Sequence, residues 1–73
     1  MSEQEFLLFF AEVLGIDSST LDMETEFRYL DEWSSLMGFD IMMRLKSNYG
    51  KELPIPSFKA AETIGDVYKI VFG

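Results

Sequence analysis

The sequence predicts an all-α protein: a small four-helix bundle with three main helices, one short helix, and a long loop between helices 1 and 2. Two observations carry the prediction. Apolar residues recur at helical spacing in three separate stretches, 6–14, 36–49 and 64–71. Each stretch is also preceded by a residue that starts helices (Ser2, Ser34, Thr63), and the first two are followed by a glycine that stops them (Gly15, Gly50). A hydrophobic content of 48% adds that the chain packs instead of remaining disordered. Seventy-three residues read as one domain, residues 1–73. A chain of this size buries only about 60% of its unfolded surface, so its stability margin is small.

The first helix is expected over Glu3–Leu14, with acids in its first turn as the helix dipole prefers. Phe6, Leu7, Phe10, Val13 and Leu14 form its inner face, Phe9 lies at the edge of that face, and Glu5, Leu8 and Glu12 lie opposite. The connection 16–33 is acidic and has no sustained period. Loops this long are uncommon in small bundles unless pinned or functional, and Leu21, Phe27 and Leu30 are the expected pins. Asp17–Arg28 does not make a calcium loop: it lacks the glycine at the sixth place, and Arg28 stands where a bidentate glutamate is required.

The second helix is expected over Ser35–Tyr49, with Ser34 as its N-cap, the hydroxyl accepting a bond from an unpaired first-turn N–H. At about 100° per residue, Ile41, Met42, Leu45 and Tyr49 fall together and should face the core. Leu36, Phe39 and Met43 form a second apolar group, expected to be partly exposed as a docking patch. Leu53-Pro54-Ile55-Pro56 is expected to be extended, because each proline disfavours the helical form in its predecessor. Ser57 should then cap a short helix, Phe58–Ala61. Thr63 should cap the last helix, with Ile64, Val67, Tyr68 and Val71 inward and Phe72 closing the bottom of the bundle.

The join at Ser34-Ser35 is the candidate site. Ser35, as the first helical residue, presents a hydroxyl to solvent where orphan amides and the helix dipole favour a phosphate. Trp33-Ser34-Ser35-Leu36, preceded by the acidic loop and followed by an apolar helix, resembles the attachment motif of acyl carrier proteins. That motif is written Asp-Ser-Leu; Ser35-Leu36 matches its Ser-Leu pair, and Ser34 stands in place of the aspartate. The resemblance runs through the opening helix, "GIDSSTLDMETEF", "YLDEW", "YGKELPIP" and "TIGDVYKIV" in order.

What the resemblance implies is a carrier with 4′-phosphopantetheine attached covalently to Ser35, put there by a phosphopantetheinyl transferase using coenzyme A and Mg²⁺. Acyl cargo would ride as a thioester on the arm, sheltered where helices 1, 2 and 4 part slightly, and be passed among acyl-loading and acyl-transferring enzymes. Fatty-acid, lipid and polyketide-type pathways are all open. Asp40 keeps one of the acids such carriers show along helix 2, whereas Met37, Lys46 and Ser47 replace others. A restricted partner set follows, docking through Ser34, Leu36, Phe39, Asp40 and Met43 with apolar contact outweighing charge. The alternative is an interaction module with the carrier fold that is never loaded.

Composition narrows the other classes. The net charge of −7 argues against nucleic acid and against anionic membranes. The imbalance is local. Through Asp40, ten acids stand against Arg28 alone; from Ile41 onward, three acids stand against five bases. A basic partner should therefore meet the first half. The opening MSEQEFLLFF lacks the basic region of a signal peptide, and its apolar run is too short to span a membrane, so a cytoplasmic monomer is expected. Without histidine or cysteine, a serine nucleophile has only lysines or carboxylates as a base. Asp31 and Glu32 read as solvated charges, and no glycine-rich phosphate loop is present. The chain is read as a non-enzyme, without a metal site.

Overall fold

The computed structural model describes residues 1–73. Four helices follow one another: α1 (Glu3–Leu14), α2 (Ser35–Tyr49), α3 (Ile55–Ala60) and α4 (Ile64–Phe72). Two 3₁₀ turns, Ser18–Thr20 and Phe27–Tyr29, interrupt the connection between α1 and α2. No strand is present, and no helix is long and apolar enough to cross a membrane.

Local chemistry sets the ends of these elements. Ser2 opens α1 with a capping box: the Glu5 amide donates to the Ser2 hydroxyl at 3.1 Å, and the Ser2 amide donates to the Glu5 carboxylate at 2.9 Å. Thr63 and Asp66 repeat the arrangement at α4, with both distances at 3.0 Å. Gly15 and Gly50 close α1 and α2 in the left-handed conformation, at φ 73° and 64°.

Fifteen apolar residues form one core. Phe6, Phe10, Phe27, Ile41, Leu45, Ile64 and Val67 are fully buried, each contributing about 1.5–3 kcal/mol of transfer free energy. The buried arc of α1 is rotated from the expected one. Phe9 and Ala11 are buried, whereas Leu7 and Val13 are only half-buried. The reason is that α2 runs along the Phe9 side, where the Phe9 and Tyr49 rings meet edge to face at 6.1 Å. Tyr49 itself stays 42% exposed, so it borders the core instead of filling it.

The long connection is held from three directions. Phe27 is inserted into the core from the second 3₁₀ turn, with Leu21 buried and Leu30 packed against the same cluster. The first amides of α4, which have no partner within their own helix, donate into the loop: Ile64 to the Thr25 carbonyl at 3.1 Å and Gly65 to the Met23 carbonyl at 2.8 Å. A Cβ on residue 65 would stand 2.8 Å from that Met23 oxygen, so only glycine permits the approach. Arg28 supplies the third attachment. Its guanidinium donates to the Ala61 and Phe58 carbonyls and lies over the Phe27 and Phe58 rings at 4.8 and 5.0 Å.

Two expectations about α3 and two about α2 are corrected. The helix α3 starts at Ile55, not Phe58, with Pro54 as its N-cap and Pro56 in its first turn. Proline is tolerated there because its missing N–H would be unpaired anyway and its fixed φ already suits a helix. Ser57 is therefore inside the helix and caps nothing. Ser34 occupies the N-cap position of α2 with extended dihedrals, but its hydroxyl makes no capping bond. Along α2 the expected division holds except at Tyr49, which was expected to face the core and is exposed. Ile41 and Leu45 are buried and Met42 half-buried, while Leu36, Phe39 and Met43 are 77%, 56% and 69% exposed.

Backbone amides hold three carboxylates below their usual range: those of Thr63 and Glu62 on Asp66, Ser2 on Glu5, and Ser19 on Asp17. Because the folded values lie below the unfolded ones, this stabilisation is fully present above about pH 5 and is lost as pH falls through the folded values. Asp66→Asn is expected to lower the melting temperature at pH 7 by a few degrees. It should also flatten the loss of stability between about pH 5 and pH 2. Melting curves across that range check it; an acid-side slope equal to the parent's rules it out.

Candidate functional site

The turn before α2 places its residues in a simple order. The Trp33 amide donates to the Leu30 carbonyl at 3.0 Å, closing the turn through the exposed acids Asp31 and Glu32. That closure sends the Trp33 ring inward, against Phe27 at 4.8 Å and Phe10 at 6.3 Å. The backbone then emerges at Ser34 and enters α2 at Ser35, and both serines are exposed. The Ser35 hydroxyl thus stands in solvent at the positive end of a fifteen-residue helix.

Ser35 borders a groove of about 320 Å³ between α2 and α3. Gly38, Phe39 and Met42 form its α2 side, and Ile55, Phe58 and Lys59 its α3 side. Trp33 and Arg28 close the end formed by the loop. Gly38 is what lets the two sides meet: a Cβ there would lie 3.0 Å from Cε2 of Phe58 and 3.5 Å from the Trp33 ring. The lining is mostly apolar, and its two charged members are the cations Arg28 and Lys59. Lys59 is exposed and takes part in none of the ion pairs of the chain.

The residues singled out from sequence divide into groups. Ser35 and Phe39 share the groove. Ser34 lies beside it on the surface, and Leu36 is the most exposed apolar residue of α2. Met43 lines a separate shallow depression with Lys46, Lys51 and Glu52. Asp40 is half-buried and occupied: it accepts from Nε of Arg44 at 3.0 Å, and Arg44 also approaches Glu12 at 3.6 Å. Asp40 is thus paired within α2, and it is Arg44 that reaches across to α1.

Arg28, Trp33, Gly38, Ile55, Phe58 and Lys59 complete the groove but were not singled out as site residues. Gly38 carries a signal in the sequence, being a lone small residue one turn after Ser35 on an otherwise bulky helix. Arg28 carries none, since its partners lie thirty and thirty-three residues away.

A hydroxyl that is exposed, at a helix start, beside an apolar groove with cations on its rim, fits a phosphate-linked arm. A family model described as "Phosphopantetheine attachment site" matches residues 4–71, nearly the whole chain. No curated protein and no solved structure matches it.

Arg28 is the joint between the loop and α3, so removing its guanidinium tests the assembly of the groove. Arg28→Met leaves two carbonyls without their charged donor and should cost about 1–2 kcal/mol. The figure sits low in the usual range because the side chain is only partly buried. Trp33 emission should move toward the wavelength of free tryptophan in the folded variant. Urea unfolding and fluorescence measure the two effects; an unchanged midpoint and spectrum would remove Arg28 from this role.

Proposed function

The chain belongs to the phosphopantetheine attachment-site family, and from that premise we propose that it is an acyl carrier whose 4′-phosphopantetheine is esterified to Ser35. A member of this family is a carrier with that group covalently bound, and it works with enzymes that attach the arm and handle its acyl load. The observation that carries the assignment to Ser35 is its position: first residue of α2, exposed, and in line with the Ser-Leu pair of the attachment motif. The arm, when present, supplies the thiol on which an acyl group is held as a thioester.

The chain's own residues do the rest. The hydroxyl of Ser35 is the acceptor for the phosphoryl group, and Trp33, Gly38 and Phe58 shape the surface next to it. Leu36, Phe39 and Met43 offer apolar contact to partner enzymes. The acid-rich first half of the chain favours partners with basic faces. The chemistry of loading and transfer belongs to those enzymes; with neither histidine nor cysteine, this chain has no general base suited to neutral pH. We read it as a cytoplasmic, single-domain, specialised carrier in a fatty-acid, lipid or polyketide-type pathway. Ser34 in place of the motif's aspartate, and Asp40 engaged with Arg44, favour partners that recognise shape over charge.

Incubation with coenzyme A, Mg²⁺ and a broad-specificity phosphopantetheinyl transferase tests the assignment. The intact mass should rise by one phosphopantetheine, and Ser35→Ala should abolish the gain. A gain that persists in Ser35→Ala moves the attachment elsewhere. No gain with any transferase of the source organism, together with partner binding that survives Ser35→Ala, would favour an unloaded interaction module.

Phe39→Glu tests the docking surface. Because Phe39 is more than half exposed, the substitution should change stability by no more than about 0.5 kcal/mol. Transfer from the transferase should nonetheless slow roughly tenfold, as at other exposed aromatic anchors. A sharp fall in melting temperature would instead make Phe39 a core residue.

A further inference from the structure

Building on the reading of Ser35 as the attachment residue, we infer that its cargo is a short or polar acyl group, because the face that Ser35 borders is walled off from the bundle interior by aromatic rings. The resemblance to acyl carriers implied a chain sheltered where the helices part. The rings of this protein stand against that.

Four rings form a continuous barrier behind the groove. Trp33 and Phe58 line it directly. Phe27, fully buried, lies behind both: its ring stacks on Phe58 at 5.7 Å and 20°, and meets Trp33 edge-on at 4.8 Å. Phe10, also fully buried, lies behind Phe27 at 5.3 Å and stacks on Trp33 at 6.3 Å and 15°. The barrier thus runs from α3 through the loop to α1.

The remaining entrance would be a slot between α2 and α3, and Gly38 closes it. The α2 backbone sits so near Phe58 that even one methyl group at position 38 would lie 3.0 Å from the ring. A chain passing inward there must separate Phe58 from α2, and Phe58 also carries the stacked guanidinium of Arg28. Entry therefore dismantles the attachment of the loop. The depression between α1 and α2 is not continuous with this groove: its lining mixes Leu8, Phe9 and Tyr49 with Glu5, Glu12, Arg44 and Asn48, and shares no residue with the groove beside Ser35.

The apolar cover next to Ser35 is then the groove alone. A cavity of about 150 Å³ houses a six-carbon ring, so an open groove of about 320 Å³ is filled by part of the arm and a few carbons. A longer apolar tail is left in water, which a carrier avoids by taking short or polar acyl groups.

The chain has no cysteine and one tryptophan, which allows a test independent of any transferase. Ser35→Cys provides a single thiol for straight-chain alkyl methanethiosulfonates. The hexyl adduct should shift Trp33 emission to shorter wavelength and raise the melting temperature by a few degrees. The tetradecyl adduct should give no further rise and should self-associate on gel filtration. In the same background, Phe58→Ala should breach the barrier, so that the tetradecyl adduct gains stability over its own unmodified form; Trp33→Ala serves the same purpose where Phe58→Ala does not fold.

A tetradecyl adduct that is monomeric and more stable than the hexyl adduct overturns the inference. A hexyl adduct that leaves Trp33 unchanged also overturns it. Failure of the coenzyme A experiment, by contrast, would strike the attachment residue and not the barrier.

Discussion

The structure depends on the anchoring of the segment between α1 and α2. Twenty residues without regular helix are expensive to order in so small a molecule. Three kinds of contact offset that cost: the buried Phe27 ring, the amides at the start of α4, and the Arg28 guanidinium. Each uses a different physical interaction and reaches a different helix. Trp33 then closes the segment against Phe10 and Phe27, and the next two residues are the exposed serines. Were Phe27 and Arg28 unable to hold their turn, neither the direction in which α2 begins nor the position of α3 beside it would be determined.

The same dependence explains what was legible in the sequence. The bounds of α1 and α2 were readable because serine and glycine punctuate them and the apolar spacing between is regular. The exposed triplet Leu36, Phe39 and Met43 was readable because α2 carries more apolar surface than one small core absorbs. The start of α3 is not legible in the sequence because proline's penalty for the residue before it competes with its suitability for a first helical turn, and the second effect wins here. The Phe9 side of α1 was placed at the edge because nothing in the periodicity of one helix says where its neighbour lies. That Ser35 begins α2 could be read from local order alone. The groove beside it could not, since Arg28, Trp33 and Phe58 are brought together only by tertiary packing.

Charge plays a secondary, more distant part. The ion pair Lys46–Glu52 is largely solvent-facing and Asp40–Arg44 is more than a third exposed, so both contribute little to stability. Their placement is informative nonetheless. Asp40 is the acid of α2 near Ser35, and Arg44 shields it. What remains for recognition on that helix is aliphatic, aromatic and thioether surface, with the acids confined to the turn before it.

The brevity of α3 has a further consequence. Six residues cannot sustain a helix by themselves, so its amides should exchange with deuterium early in native-state experiments. Because Arg28 binds the carbonyls at its end, the 27–29 turn and α3 should behave as one cooperative unit, opening together below the free energy of global unfolding. The wall and the cleft it bounds would then come and go as a single event, and the interval between such openings would limit how quickly this protein could ever admit a longer guest.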